Sequence, residues 1–260
     1  MGIKRLIQTL LHRSGYRLTS LRPAVHYPYL DVLDVLIQAQ MNKGTTPYFV
    51  QIGANDGQTM DPLSHFIDRY GLPGLMVEPQ PIIFKKLIAH RQHMPGLSFE
   101  NALIGSVDGP ATLYVPRSDA ALPEWLGQAA SMDRSQLFAV LDQYFRTEGQ
   151  ERDLISVNEL IETVQLPCLS MTSLLAKHGV KQINLLVLDT MGFDCNILKS
   201  FPWAQLRPGI VQFEHRLMKT DDHITCIDML AGLGYSLCQV DMDTLAVLNG
   251  PQRSGTYIPV

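Results

Sequence analysis

The sequence predicts an α/β fold, a doubly wound and mostly parallel sheet that closes in an antiparallel C-terminal hairpin. Three observations predict it. Short apolar segments alternate with stretches of helical periodicity, in the rhythm of right-handed βαβ crossovers. Leu185-Leu-Val-Leu188 is a continuous apolar run, as expected of a strand covered on both faces. Tyr48-Phe-Val-Gln-Ile-Gly-Ala-Asn-Asp-Gly57 carries an apolar strand straight into a glycine-bounded turn, the place where such sheets receive ligands.

Taken in order, residues 3–13 set Ile3, Leu6, Ile7 and Leu10 on one helical face, with Lys4, Arg5, Gln8 and Arg13 largely opposite. A second helix is expected over 29–41, ahead of the Gly44-Thr-Thr-Pro47 break. Strands follow at 48–52, 74–78, 98–103, 183–188 and 209–214, and helices at about 60–70, 80–92, 170–178, 192–200 and 221–232. Tyr235–Val240 and Thr244–Leu248 form the closing hairpin, because Asp241-Met-Asp243 can turn the chain. The interval 107–168 is too long for a plain crossover and reads as an insertion. It should hold strands near 112–115 and 162–168 and a helix near 134–145, and insertions at this edge build substrate pockets or are merely tolerated. The organisation is thus an N-terminal basic helical extension, 1–44, and one domain, 45–260.

With 46% hydrophobic residues in 260, the chain can bury one large core. The net charge of −4 hides an asymmetry, since Lys4, Arg5, Arg13, Arg17 and Arg22 face no acid before Asp31. The main body is therefore acidic and ill-suited to nucleic acid. The basic segment 1–22 is expected to serve association, with an anionic membrane surface or a protein partner. Four cysteines without C-x-x-C spacing indicate neither a disulfide framework nor a zinc site, which fits a reducing cytoplasm. No apolar run is long enough to span a bilayer.

The turn after the first strand narrows the ligand. Its spacing is Gly53-x-x-x-Gly57 rather than G-x-G-x-x-G, with Asn55 where a second glycine would admit a pyrophosphate. Asp56 would repel a phosphate by roughly 3 kcal/mol at ~5 Å and an effective dielectric near 20. A cationic nucleoside such as S-adenosylmethionine suits the turn better; a dinucleotide is the alternative, and a plain strand-to-helix turn is the bland one. The expected cofactor residues are Gly53, Ala54, Asn55, Asp56 and Gly57, with the glycines bare where ligand touches backbone. Glu78, at the end of the second strand, offers acceptors to a ribose diol, and Asn101 with Ala102 could hold an adenine edge or simply satisfy a turn. Asp189 ends the central strand, as a helix cap or facing the reacting centre. His215 ends the fifth strand, as a general base toward a hydroxyl or as an inert surface residue. No spacing demands a metal.

The chain resembles the FkbM family of S-adenosylmethionine-dependent methyltransferases. The resemblance rests on Val50-Gln-Ile-Gly-Ala-Asn-Asp-Gly57, Val77-Glu-Pro79, Asn101-Ala-Leu-Ile-Gly-Ser106, Ala130-Ser131, Leu174-Leu175 and Leu188-Asp-Thr-Met-Gly-Phe-Asp194 with Ile197-Leu198, in the family's order. It implies a Rossmann-like enzyme that methylates hydroxyl oxygens of sugars, glycans or natural products. One departure stands out: where the family commonly has an acid in D-x-E-G, this chain has Met191. Asp189, Asp194 or His215 must then take over that acid's work, or the protein is a cofactor-binding module with little or no activity. A nucleotide-dependent oxidoreductase is the remaining alternative.

Overall fold

The computed structural model describes residues 31–149 and 154–249. The basic segment 1–22 and its expected association therefore lie outside the described residues. The chain divides into a unit ending at Ala39 and a unit from Gln40 onward. Helix α1 (Val32–Met41) begins in the first and is started by Asp31, whose Oδ1 accepts from the amides of Leu33 at 2.9 Å and Asp34 at 3.2 Å. That side chain satisfies two of the donors a helix start leaves bare.

In the second unit, a seven-stranded sheet runs in the order β3-β2-β1-β7-β8-β10-β9. Its strands are β1 (Phe49–Ile52), β2 (Gly74–Val77), β3 (Leu97–Glu100), β7 (Leu185–Leu188), β8 (Ile210–Glu214), β9 (Tyr235–Val240) and β10 (Asp243–Leu248). The first five are parallel, and β10 joins β8 and β9 antiparallel. The predicted fold class is the observed one. Every residue of β1, β2 and β7 is buried, which explains why their sequences are apolar apart from Gln51 in β1. The crossovers carry α2 (Ser64–Tyr70), α3 (Pro81–Arg91), α7 (Met171–Lys177), α8 (Asp194–Ser200) and α9 (Thr220–Gly232). One sheet face packs Ile52, Leu188 and Phe213 against Leu174 of α7, Leu198 of α8 and Leu230 of α9. No described helix is long and apolar enough to cross a membrane.

Two expectations need correction. The strand read over 98–103 is two strands, because the chain turns at Asn101-Ala102 and leaves the main sheet as β4 (Leu103–Gly105). Asn101 makes the turn, its Nδ2 donating to the carbonyls of Glu78 at 2.8 Å and Pro79 at 2.9 Å. The insertion is not a loop with isolated elements. It builds a second sheet in which β6 (Ile161–Ser170) lies between β4, parallel, and β5 (Gly109–Pro116), antiparallel.

The insertion has its own core. Leu137, Leu141 and Phe145, four residues apart on α5 (Arg134–Thr147), bury one stripe against Leu126 and Ile161. Asp133 caps that helix, accepting from the Ser135 amide at 2.8 Å. Short helices α4 (Glu124–Gly127) and α6 (Leu154–Glu159) flank it.

Candidate active site

Parallel pairing fixes which groups share the carboxyl edge of the sheet. Ile52 pairs with Leu188 and Leu188 with Phe213, so Gly53, Asp189 and Glu214 stand one position beyond, side by side. Glu78 follows Val77, the partner of Ile52 in β2. The sequence-predicted residues are thus drawn to one edge, apart from the His215 side chain.

The turn after β1 is held from within. Gly53 has φ +84°, and a Cβ there would lie 1.8 Å from the Asp189 carbonyl oxygen. Gly57 has φ +73°, and its Cβ would meet Leu87 Cδ1 at 2.7 Å. The two glycines therefore admit neighbouring protein, β7 in one case and α3 in the other, where the sequence suggests room for a ligand. Asn55 adopts φ 48°, a left-handed turn that asparagine tolerates better than most residues. Asp56 closes the turn, Oδ1 accepting from the amides of Gln58 at 2.9 Å and Thr59 at 2.7 Å. Burial pushes its pKa up, but these amides together with the Thr59 hydroxyl and His90 outweigh that and hold it below the usual range. His90 bonds the Asp56 carbonyl through Nδ1 at 2.8 Å. The buried Arg91 donates from Nε to the Gly57 carbonyl at 2.8 Å and from Nη2 to Ser64 Oγ at 2.6 Å, and it pairs with Asp68.

Glu78 is only 5% exposed. Its Oε2 accepts from the Asn55 amide at 3.0 Å and its Oε1 from the Gln80 amide at 2.8 Å. Each oxygen keeps an acceptor position in reserve, which is what a vicinal diol requires. Burial drives the Glu78 pKa up to about 7, with the neighbouring Asp56 charge adding to it against the two amides. A carboxyl with a raised folded pKa stabilises the fold while protonated, and that contribution is lost as pH climbs from its unfolded value through about 7. From about pH 5 to about pH 8, wild type should therefore lose roughly 3 kcal/mol relative to Glu78→Gln, which stays neutral. Paired thermal unfolding curves check this; a difference that does not move with pH contradicts it. Asn101 spends its Nδ2 on the strand end.

Asp189 is exposed to solvent, yet its pKa stands well above the ordinary value, first through desolvation and then through Glu214, Asp194, Asp243 and Asp61. Glu214 beside it is raised to about 7 by burial and by Asp194 and Asp243, with Arg216 opposing. Asp194, at the start of α8, is fully buried, accepts from Thr190 Oγ1 at 2.9 Å, and is raised to about 6, mainly by burial. Among the described residues no three metal-ligating side chains converge.

His215 takes the other face of β8. Its Nδ1 lies 3.1 Å from Thr244 Oγ1, and its ring stacks on His223 of α9 with centroids 4.7 Å apart. Glu214, rather than His215, is the strand-end group beside Asp189.

The insertion touches both halves of this edge. Gln128 accepts from Asn55 Nδ2 at 3.2 Å and, through its carbonyl, from Gln80 Nε2 at 2.7 Å. Ser131 Oγ donates to the Met191 carbonyl at 3.1 Å. Met191, at φ 50°, packs against the insertion's apolar cluster. The residue standing in the acid's place is therefore part of the contact between the turn after β7 and the insertion.

Residues 51–237 match the family described as Methyltransferase FkbM domain. The chain belongs to that family. The FkbM match contains the turn, Glu78, Asn101, Asp189, Glu214 and the whole insertion. No curated protein matched. Solved structures similar to this FkbM chain include a precorrin-6y C5,15-methyltransferase from Geobacter metallireducens, at 9% identity and TM-score 0.42 over 87% of this chain and 92% of that one. Another is Aeropyrum pernix fibrillarin with natively bound S-adenosyl-L-methionine, at 14% identity and TM-score 0.39 over 81% and 73%. A third is a Salinibacter ruber RNA methyltransferase in complex with S-adenosyl-L-homocysteine, at 10% identity and TM-score 0.35 over 88% and 97%.

Sequence reading passed over Gln51, Gln212, Asp61 and Asp243. The signal was present, because a glutamine in the middle of an apolar strand requires a polar partner. Gln51 Nε2 donates to Asp61 Oδ1 at 2.8 Å and Gln212 Nε2 to Asp243 Oδ2 at 2.6 Å.

Proposed function

We propose that this chain transfers a methyl group from S-adenosylmethionine to a hydroxyl oxygen of a sugar, glycan or natural product. The observation that carries the reading is the solvent-reached carboxyl of Asp189, held beside Glu214 at the same sheet edge as Glu78 and the Gly53–Gly57 turn. Membership of the FkbM family supports the reaction class.

Bound S-adenosylmethionine would supply a methyl group already activated on a sulfonium. Glu78 accepts the ribose hydroxyls through its two remaining acceptor positions. The Asn55 backbone is fixed by Glu78 and its side chain by Gln128, so the turn keeps its shape before ligand arrives. Asp189 accepts the hydroxyl proton as the oxygen attacks, and its raised pKa makes it a stronger base than an ordinary carboxylate. Much of the acceleration comes from alignment, which can supply ~7–11 kcal/mol in well-oriented reactions. The insertion, tied to both halves of the edge, would form the acceptor side of the site.

A second reading, a cofactor-binding module without activity, is favoured by one observation: Met191 is built into the insertion contact and can neither accept a proton nor bind a hard cation. A labelled-methyl screen across glycans and small hydroxylated metabolites separates the two. Label in a hydroxyl-derived ether supports the first; S-adenosylhomocysteine binding without transfer to any acceptor supports the second.

A further inference from the structure

Glu78 is held by two backbone amides, that of Asn55 on Oε2 at 3.0 Å and that of Gln80 on Oε1 at 2.8 Å. Neither donor residue lies within a strand or a helix. Asn55 sits in a left-handed turn at φ 48°, and Gln80 is the extended residue that precedes Pro81 at the start of α3. Without a ladder of backbone bonds around them, such residues take much of their position from their side chains.

Both side chains reach the same residue. Asn55 Nδ2 donates to Gln128 Oε1 at 3.2 Å and Gln80 Nε2 to the Gln128 carbonyl at 2.7 Å, across 73 and 48 positions of sequence. Glutamine is a poor residue to cap a helix start, and Gln80 makes no capping bond to α3; its side chain goes to the insertion instead. Gln128 is itself well supported. It follows α4 directly, its amide donates to the Glu124 carbonyl at 3.1 Å, and the nearby Leu126 and Ala129 are buried in the core of the insertion.

We propose that Gln128 is a positioning residue of the cofactor site, setting the Glu78 carboxylate for a ribose diol by fixing both of its amide donors. This rests on the reading of Glu78 proposed above. A diol tolerates little misplacement, because both hydroxyls must meet their oxygens together, and a shift of roughly 0.5 Å in the supporting groups is enough to spoil such an arrangement. The insertion thus serves the cofactor half of the site as well as the acceptor half.

The test is calorimetric titration with S-adenosylhomocysteine of the full chain as wild type, Gln128→Met, Glu78→Ala and the double variant, each first shown to be folded by thermal unfolding. Methionine keeps nearly the length of glutamine and removes the Oε1 acceptor. Gln128→Met is expected to weaken binding about 3–10-fold, the scale of one neutral hydrogen bond. In the Glu78→Ala background the same substitution should cost less than about twofold, because a residue that acts through Glu78 then has nothing left to position. Gln80→Met, which removes the second arm, should follow the same pattern and carries the comparison if Gln128→Met does not fold. Lys86→Ala removes only the exposed ion pair from α3 to Glu124 at 3.0 Å, and should bind as wild type does. Unchanged affinity in a folded Gln128→Met protein, or an equal loss with and without Glu78, overturns the inference. A wild-type protein that does not bind, or a Glu78→Ala variant that binds as tightly as wild type, strikes the reading of Glu78 itself, so the two failures are told apart.

Discussion

Alanine at position 53 is expected to lower stability by roughly 2–5 kcal/mol, although it adds a single methyl group. The left-handed backbone contributes about 1–2 kcal/mol for any residue with a Cβ. Overpacking contributes about 1–3 kcal/mol more. The contact here belongs to the severe end, because the new Cβ would lie 1.8 Å from the Asp189 carbonyl, which is backbone and cannot rotate away. At Gly57 the obstruction is Leu87 Cδ1, the end of a movable side chain, so Gly57→Ala should be milder. Urea unfolding of the two variants measures this, and a Gly53→Ala protein of wild-type stability would refute the packing account. The variant should also lose cofactor affinity, since moving Asp189 moves the turn that faces it.

The largest effect on turnover is expected at Asp189. Asp189→Asn keeps the shape and removes the basic oxygen, so kcat should fall by ~10²–10⁴-fold while affinity for S-adenosylhomocysteine changes little. Glu214→Gln, one strand away, should give a smaller loss. His215→Ala should fall well short of the Asp189 effect, because the imidazole is turned to Thr244 and His223. Single-turnover rates with a methyl acceptor found by the screen provide the comparison, and wild-type rates in Asp189→Asn would remove it from the chemistry.

Much of the fold could be read from the chain because its central strands are buried on both faces and bounded by turn residues. Leu185–Leu188 is the clearest case. The break at Asn101-Ala102 was not legible, since neither glycine nor proline marks it and what ends the strand is a side chain reaching back to Glu78 and Pro79. The second sheet was missed for a related reason. Its strands β5 and β6 were each foreseen, but their pairing with β4 joins segments some sixty residues apart, as in Leu103 with Cys168, and no local pattern reports it. At the site, strand-end acids could be found by position alone. Which face of β8 each residue takes could also have been derived: Phe213 is core, so alternation sends Glu214 to the face of Asp189 and His215 to the other. The glycines misled because φ and close approach look alike in sequence whether the neighbour is a ligand or another strand.

The central claim is that a nucleoside with an activated methyl group is held at the carboxyl edge through Glu78. Calorimetric titration of the full chain with S-adenosylhomocysteine tests it most directly. The account predicts saturable one-to-one binding that Glu78→Ala weakens by about 1–3 kcal/mol, the range for losing hydrogen bonds to a charged group. Absence of binding to the wild-type protein, or identical affinity in a folded Glu78→Ala variant, would contradict it.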